Sequence, residues 1–200
     1  MKEINNEGFK MNRYLAQERK DWELFKKWQT RLEHTIICYP QKYGSVADVR
    51  IVDPFSCREK VAEIKQRNVA PETYPDCYIE LTKWNNLMKL WRKEGIVSWY
   101  INFFDDDAID VYLWVLPEIK EAKVYLNVDV NGNEVDRLGL SWKDAYHYHW
   151  NGYKYIPTEA QKDRLRKVPV DKCKLYTGDL DELQKYADKA VDELFAAQIE

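Results

Sequence analysis

Three charged residues in the segment 48–65 have the types and spacing of a metal-dependent hydrolytic site. Glu63 and Lys65 are two positions apart, so on an extended strand their side chains share a face and Ile64 points to the opposite face. Asp48 lies near the start of a preceding β-branched segment and would approach Glu63 if the two strands pair as a hairpin. Two carboxylates and the backbone carbonyl of Ile64 would make an oxygen-rich site of the kind that Mg²⁺ prefers. A nearby ammonium can orient or deprotonate a water molecule, so the pattern predicts phosphodiester hydrolysis.

Hydrophobic periodicity predicts the elements that position these residues. We expect a first helix that ends near residue 34, strands at 35–39, 46–52 and 60–67, a helix at 78–94, strands at 96–104 and 109–116, a hairpin of 123–130 with 134–138, and a helix at 180–197. Gly95 lies where a helix C-cap is expected. Residues 141–156 are rich in aromatic side chains and less regular.

This order of elements predicts an α/β (α+β) fold. Its small mixed sheet would have the core order helix-strand-strand-strand-helix-strand, followed by a hairpin and a C-terminal helix. Residues 1–116 would form the core, and residues 117–200 would form an extension packed on that core within one globular domain.

Asp48 and Glu63-Ile64-Lys65, together with this order of elements, resemble the PD-(D/E)xK phosphodiesterase superfamily, which includes restriction enzymes, Holliday-junction resolvases and phage or repair exonucleases. The resemblance covers residues 10–104, about half of the chain. It implies a Mg²⁺-dependent nuclease that acts on DNA and in which Mn²⁺ can substitute. Asp48, Glu63 and the Ile64 carbonyl would hold the metal, and Lys65 would position or activate the attacking water.

The same resemblance implies further site residues. Many members carry a glutamate on the first helix as an additional metal ligand, and Glu33, Glu23 and Glu18 are candidates, with Glu33 taken as the expected ligand. The helix after the E-x-K strand often carries a polar or basic residue toward the substrate, and Lys83 is the expected residue here. Arg67 shares the face of the E-x-K pair and is expected to reach a phosphate.

Other acidic and histidine residues compete with this assignment. Asp53 is the alternative first acid, but an aspartate at the end of a strand commonly serves a turn. The triplet 118–120, Glu-Ile-Lys, has the upstream acid Asp110, but a proline precedes it and a hairpin follows it. His147 and His149 could bind a transition metal, yet their spacing suggests no third ligand and aromatic packing is favoured.

Charge and composition limit the partners. The net charge of −3 means that nucleic acid would have to contact a local basic patch. The segment 162–174 has six basic against two acidic residues, and its Arg164, Arg166 and Lys167 are expected to contact DNA phosphates. A hydrophobic content of 45% excludes a disordered chain, and no apolar run approaches the roughly 20 residues of a membrane helix. Four scattered cysteines predict reduced thiols in a cytoplasmic protein.

Two alternatives to a nuclease stay open. One is a non-catalytic nucleic-acid-binding or structural protein on the same fold, and the other is an interaction protein of a different mixed fold. Metal-dependent cleavage of DNA would separate the nuclease from both alternatives. Because many members of the resembled superfamily act as dimers, a homodimer is also among the expected assemblies.

Overall fold

The computed structural model describes residues 6–33, 35–42, 44–128, 132–157 and 173–196 of the chain. Within these ranges it contains three α-helices and ten strands. In chain order they are α1 (Asn6–Arg31), β1 (Ile37–Pro40), β2 (Val49–Val52), β3 (Glu59–Gln66), β4 (Asp76–Glu80), α2 (Leu81–Glu94), β5 (Val97–Phe103), β6 (Asp110–Val115), β7 (Lys123–Val128), β8 (Glu134–Ser141), β9 (Tyr146–Trp150), β10 (Tyr155–Pro157) and α3 (Leu180–Ala196).

The strands form two sheets. The larger sheet has seven strands in the order β1-β2-β3-β5-β6-β9-β10, and the smaller sheet has three in the order β4-β8-β7. Only the β3–β5 pair among these strands is parallel, and the chain crosses over through α2 to make it. The expected mixed α+β class is confirmed. The core order helix-strand-strand-strand-helix-strand holds for the strands of the larger sheet, and β4 of the smaller sheet is inserted between β3 and α2.

The larger sheet buries both of its faces. On one face, Trp22, Phe25 and Trp28 of α1 pack against apolar strand residues such as Ile64 and Ile101. On the other face, residues of α2 and of the smaller sheet pack on β5 and β6; this second cluster includes Leu87, Met88, Tyr100, Trp114 and Leu140. Glu63 and Lys65 alternate with Ile64 along β3, so they point to the α2 side of the sheet.

The predicted helix 78–94 is wrong at its beginning. Residues 76–80 form β4, which pairs with β8, and α2 begins only at Leu81. Cys77 and Ile79 are both buried, which is the alternating pattern of a strand rather than of a helix. The end of α2 is as expected, because Gly95 adopts φ 71° and its N–H donates to the Trp91 carbonyl at 2.9 Å.

Residues beyond position 117 contribute strands to both sheets. The predicted hairpin is present as β7 and β8. The aromatic segment 141–156 contains β9 and the first two residues of β10, and the sequence analysis predicts neither strand. Among the described helices, none has the length and apolar character needed to cross a lipid bilayer.

Candidate active site

The β2–β3 hairpin brings Asp48 opposite Glu63. Val49 pairs with Ala62 in the antiparallel register, so Asp48, the residue just before β2, faces Glu63 of β3. The Asp48 N–H donates to the Ala62 carbonyl at 3.0 Å, and the Asp48 Oδ2 accepts the Ile64 N–H at 2.8 Å. The Asp48 carboxylate therefore accepts a hydrogen bond from the backbone of β3 just before β2 begins, and this hydrogen bond fixes the position of the carboxylate.

Glu63 is the centre of an ion-pair network. Its side chain is only 2% exposed, and its Oε1 lies 2.9 Å from the Lys65 Nζ. Lys65 Nζ is also 3.8 Å from Asp48 Oδ2, so one ammonium lies between the two carboxylates. Lys83 of α2 places its Nζ 2.8 Å from Glu63 Oε2. A buried carboxylate requires such compensation, because removing an isolated charge from water is very costly.

The two oxygens of Glu63 differ in their hydrogen bonding. Lys83 approaches Oε2 as an ion pair without hydrogen-bond geometry, so this buried oxygen accepts no hydrogen bond from the described residues. Buried polar atoms are normally hydrogen-bonded. Because Glu63 also lines a cavity of about 960 Å³, Oε2 is an acceptor that a bound group could use.

Burial and mutual repulsion perturb the titration of this cluster. Desolvation, followed by the charge of Glu63, raises the pKa of Asp48 to about 7, although Lys65 and the Ile64 N–H oppose the shift. Burial lowers the pKa of Lys65, but Glu63 and Asp48 outweigh burial and raise that pKa above its ordinary value. Lys65 is therefore an ammonium at neutral pH in the metal-free protein.

Helix α1 contributes Glu18 and Asp21, not Glu33. Both residues line the cavity that contains Asp48 and Glu63, and burial raises the pKa of each. Asp21 Oδ1 accepts hydrogen bonds from Gln17 Nε2 at 2.8 Å and from the Gln66 N–H at 3.3 Å, which connects α1 to the end of β3.

The expected ligand Glu33 lies elsewhere. It follows the end of α1 and lines a separate cavity of about 280 Å³ with Lys26 and Cys38. Fifteen residues separate it from Glu18, which corresponds to about 22 Å along a helix axis. Glu23, the third candidate, is exposed and is not part of the lining of the larger cavity. The helix periodicity could have suggested Asp21, because it is three residues from Glu18 and shares its face.

Arg67 lies beside the site, but its guanidinium donates hydrogen bonds to other residues of the protein. Its Nε donates to Asn102 Oδ1 at 2.6 Å, and its Nη2 donates to the Tyr78 carbonyl at 2.9 Å and to the Tyr100 hydroxyl. Arg67 therefore joins β3 to β5 and β4 as a wall of the cavity. Ile64 points its side chain into the core on the opposite face, and its carbonyl as a metal ligand stays a prediction.

The cavity has a volume of about 960 Å³ and lies between α1, the larger sheet and the smaller sheet. Exposed Tyr14 and Tyr74 lie among its lining residues, and Lys42 and Arg137 add basic groups. The expected DNA contacts Arg164, Arg166 and Lys167 lie outside the described residues.

The competing acids do not form a second carboxylate site of this kind. Asp53 Oδ1 accepts the N–H groups of Phe55 at 2.9 Å and Ser56 at 3.3 Å, which confirms its expected role in a turn. Asp110 begins β6, whereas Glu118 follows the other end of that strand and accepts a hydrogen bond from the Tyr146 hydroxyl. The rival triplet 118–120 is thus separated from its upstream acid by the length of β6.

Comparison of the chain with protein-family models, with curated proteins and with solved structures gave no match in any of the three.

Proposed function

We propose that this protein is a Mg²⁺-dependent nuclease that hydrolyses phosphodiester bonds in DNA, as its resemblance to the PD-(D/E)xK superfamily implies. The observation that carries the proposal is the convergence of Asp48, Glu63 and Lys65 at one end of the β2–β3 hairpin, with Lys65 Nζ 2.9 Å from Glu63 and 3.8 Å from Asp48. Carboxylates beside a cation, at the wall of an open cavity, are the groups that phosphodiester hydrolysis requires.

The donor set fits Mg²⁺. The cavity gathers carboxylate oxygens from Asp48, Glu63 and the α1 residues Glu18 and Asp21, and Mg²⁺ prefers oxygen ligands that include one or two carboxylates. Glu63 Oε2 accepts no hydrogen bond from the described residues, and crowding with Glu63 contributes to the raised pKa of Asp48. A divalent cation relieves such repulsion. When bound, the ion would supply Lewis-acid stabilisation and a more acidic water.

The lysines of the site would act as cations. Because the pKa of Lys65 is raised, its ammonium is suited to orient the attacking water and to stabilise charge on the scissile phosphate rather than to accept a proton. Lys83 pairs with Glu63 from the α2 side and adds a second cation to the site. The Arg67 guanidinium holds the floor of the cavity in place through Tyr100 and Asn102.

The cavity is suited to a strand of nucleic acid. Tyr14 and Tyr74, 55% and 51% exposed, offer aromatic faces on which bases can stack. Lys42 and Arg137 line the same cavity and can contact phosphates. DNA is accordingly the proposed substrate and partner.

A non-catalytic protein on the same fold is the second candidate, and one observation favours it. Both oxygens of Glu63 lie within 3 Å of an ammonium, Lys65 at 2.9 Å and Lys83 at 2.8 Å, so Glu63 is fully compensated without a metal. In this case the network would stabilise the junction of β3 with α2 and would hydrolyse nothing.

Digestion of plasmid and oligonucleotide DNA with and without Mg²⁺ separates the two candidates. The nuclease proposal predicts Mg²⁺-dependent cleavage that Glu63→Gln abolishes. Glu118→Gln is the matched control, because it makes the same change in the rival E-x-K triplet and should cleave like the wild type. Salt-sensitive DNA binding without cleavage by the wild-type protein would favour the non-catalytic candidate.

A further inference from the structure

A second group of metal-binding side chains lies on strands β6 and β9. Asp110 pairs directly with His149, and Tyr112 pairs with His147, so all three polar side chains emerge on one face. Asp110 Oδ1 lies 2.9 Å from His147 Nε2 and 2.9 Å from His149 Nδ1. The ligand atoms of the three residues all lie within 4.8 Å of one another.

We propose that Asp110, His147 and His149 bind a divalent transition metal ion of the Zn²⁺ class. Two imidazole nitrogens and one carboxylate oxygen are the ligands that such ions take from proteins, and sites with three protein ligands keep a further position for water. Tetrahedral coordination at Zn–N distances of about 2.05 Å separates ligand atoms by about 3.3 Å. The three groups are close to that arrangement and need only small side-chain movements to reach it.

The surroundings of the group hold it in place and keep it accessible. The His147 ring stacks on Tyr112 with centroids 4.2 Å apart and an interplanar angle of 12°, which fixes its orientation. The side chains of Asp110, His147 and His149 are 35%, 31% and 51% exposed, so an ion and its water can enter from solvent.

This group is independent of the carboxylate site. Lys65 pairs with Asn102, Asn102 with Tyr112, and Tyr112 with His147, so these residues form one row across β3, β5, β6 and β9 on the same face. Three strand spacings separate the ends of the row by about 14 Å. The ions of a two-metal centre are about 4 Å apart, so the His–Asp group would hold a separate ion.

Titration of the chelator-treated full chain with Co²⁺, followed by visible absorption and by competition with Zn²⁺, tests the proposal. We expect one equivalent of Co²⁺ to bind and to give the intense visible absorption of a Co²⁺ ion with a low coordination number. His149→Ala and Asp110→Asn should each weaken binding at least about tenfold, since loss of even an outer-shell partner has an effect of that size. His34→Ala, which removes the chain's other histidine, is the matched control and should bind like the wild type.

Two further variants keep the outcome decisive. His149→Gln replaces an exposed side chain, so its circular dichroism should match that of the wild type while Co²⁺ binding weakens at least about tenfold. Asp48→Asn alters the carboxylate site and should keep the Co²⁺ absorption. The proposal would be overturned if the wild-type protein bound no Co²⁺, or if folded His149→Gln bound Co²⁺ with unchanged affinity. Loss of the Co²⁺ absorption in Asp48→Asn or His34→Ala would also overturn it.

Discussion

Glu63 is a buried carboxylate with two lysine partners that come from different elements. Lys65 comes from its own strand and Lys83 from α2, each within 3 Å of a different oxygen. Loss of either lysine leaves Glu63 with one partner, which limits the cost of an uncompensated buried charge. Lys65 can therefore be removed without removing all compensation of Glu63.

Lys65→Ala is expected to abolish cleavage and to leave the fold and Mg²⁺ binding largely intact. Lys65 lies between both carboxylates but carries no oxygen ligand, and a catalytic group of this kind contributes about 10²–10⁴ in rate. Single-turnover cleavage rates at saturating Mg²⁺ measure the effect. Lys120→Ala, the same change in the rival triplet, should retain the wild-type rate. A folded Lys65→Ala protein with unchanged turnover would reject the role of Lys65.

The raised pKa of Asp48 predicts how stability changes with pH. Its carboxyl titrates near 7 in the folded protein and near its ordinary value of 3.8 when unfolded, so the folded state binds the extra proton between these values. The contribution of Asp48 to the free energy of unfolding is therefore largest below about pH 4, and it falls as the pH rises to about 7.

Urea unfolding of the metal-free protein across this pH range checks that prediction. The decline in the free energy of unfolding with rising pH should be shallower in Asp48→Asn, because the amide keeps an oxygen acceptor for the Ile64 N–H but does not ionise. For the same reason the variant should be more stable than the wild type at pH 8 without metal. Parallel pH profiles for the two proteins would show that Asp48 titrates normally in the folded state.

At the scale of elements, the face of α1 that approaches the end of β3 decides which acids join the site. Glu18→Gln should weaken Mg²⁺-dependent cleavage about 10–100-fold, the effect expected for a group in or next to a metal shell. Glu33→Gln, at the far end of α1, is the matched control and should cleave normally. The initial cleavage rate as a function of Mg²⁺ concentration measures the effect of each variant. A loss of cleavage in Glu33→Gln but not in Glu18→Gln would assign the metal ligand of the first helix to Glu33.

The basic segment 162–174 carries a separate prediction that comes from the sequence alone. If Arg164, Arg166 and Lys167 contact phosphates, neutralising all three should weaken DNA binding and reduce the slope of log K against log salt by up to about three. Fluorescence anisotropy at several salt concentrations measures this slope. An unchanged slope would mean that the segment is ordinary surface.

Elements with local signals could be predicted from the sequence, whereas those that depend on distant partners could not. The E-x-K strand, its hairpin with β2 and the cap at Gly95 follow from alternation, a short connection and a glycine. Residues 78–80 of β4 are predicted as helix because this strand gains a partner only in β8, about 60 positions later. The apolar periodicity of the helix that begins at Leu81 extends the predicted helix into the end of β4.

The same distinction applies to the two candidate sites. Asp48 and Glu63 belong to one hairpin, so their proximity could be expected from spacing. Asp110 meets His149 only because β9 returns to β6 after the chain has formed the smaller sheet. No spacing rule signals a contact between residues 39 positions apart, and so the sequence suggested no third ligand for the two histidines.

At the scale of the whole molecule, the two faces of the larger sheet differ in polarity. One face is covered by α1 and is almost wholly apolar, whereas the other carries the polar rows that contain Glu63, Lys65 and His147. The smaller sheet and α2 cover part of this second face and leave the cavity of about 960 Å³ open at its edge. Both candidate sites therefore have their strand residues on this second face, and α1 adds Glu18 and Asp21 to the cavity at its edge.

The proposed Mg²⁺ site of Asp48 and Glu63 is tested most directly by the melting temperature of the full chain with increasing Mg²⁺. A ligand at 100 times its Kd stabilises the folded state by about 2.7 kcal/mol, which for a chain of this size raises the melting temperature by about 5–10 °C. Asp48→Asn should remove most of this rise. Asp53→Asn, the same change in the turn of the same hairpin, should keep it. A rise that is equal in Asp48→Asn and in the wild type, or that is absent from both, would contradict a shared metal site.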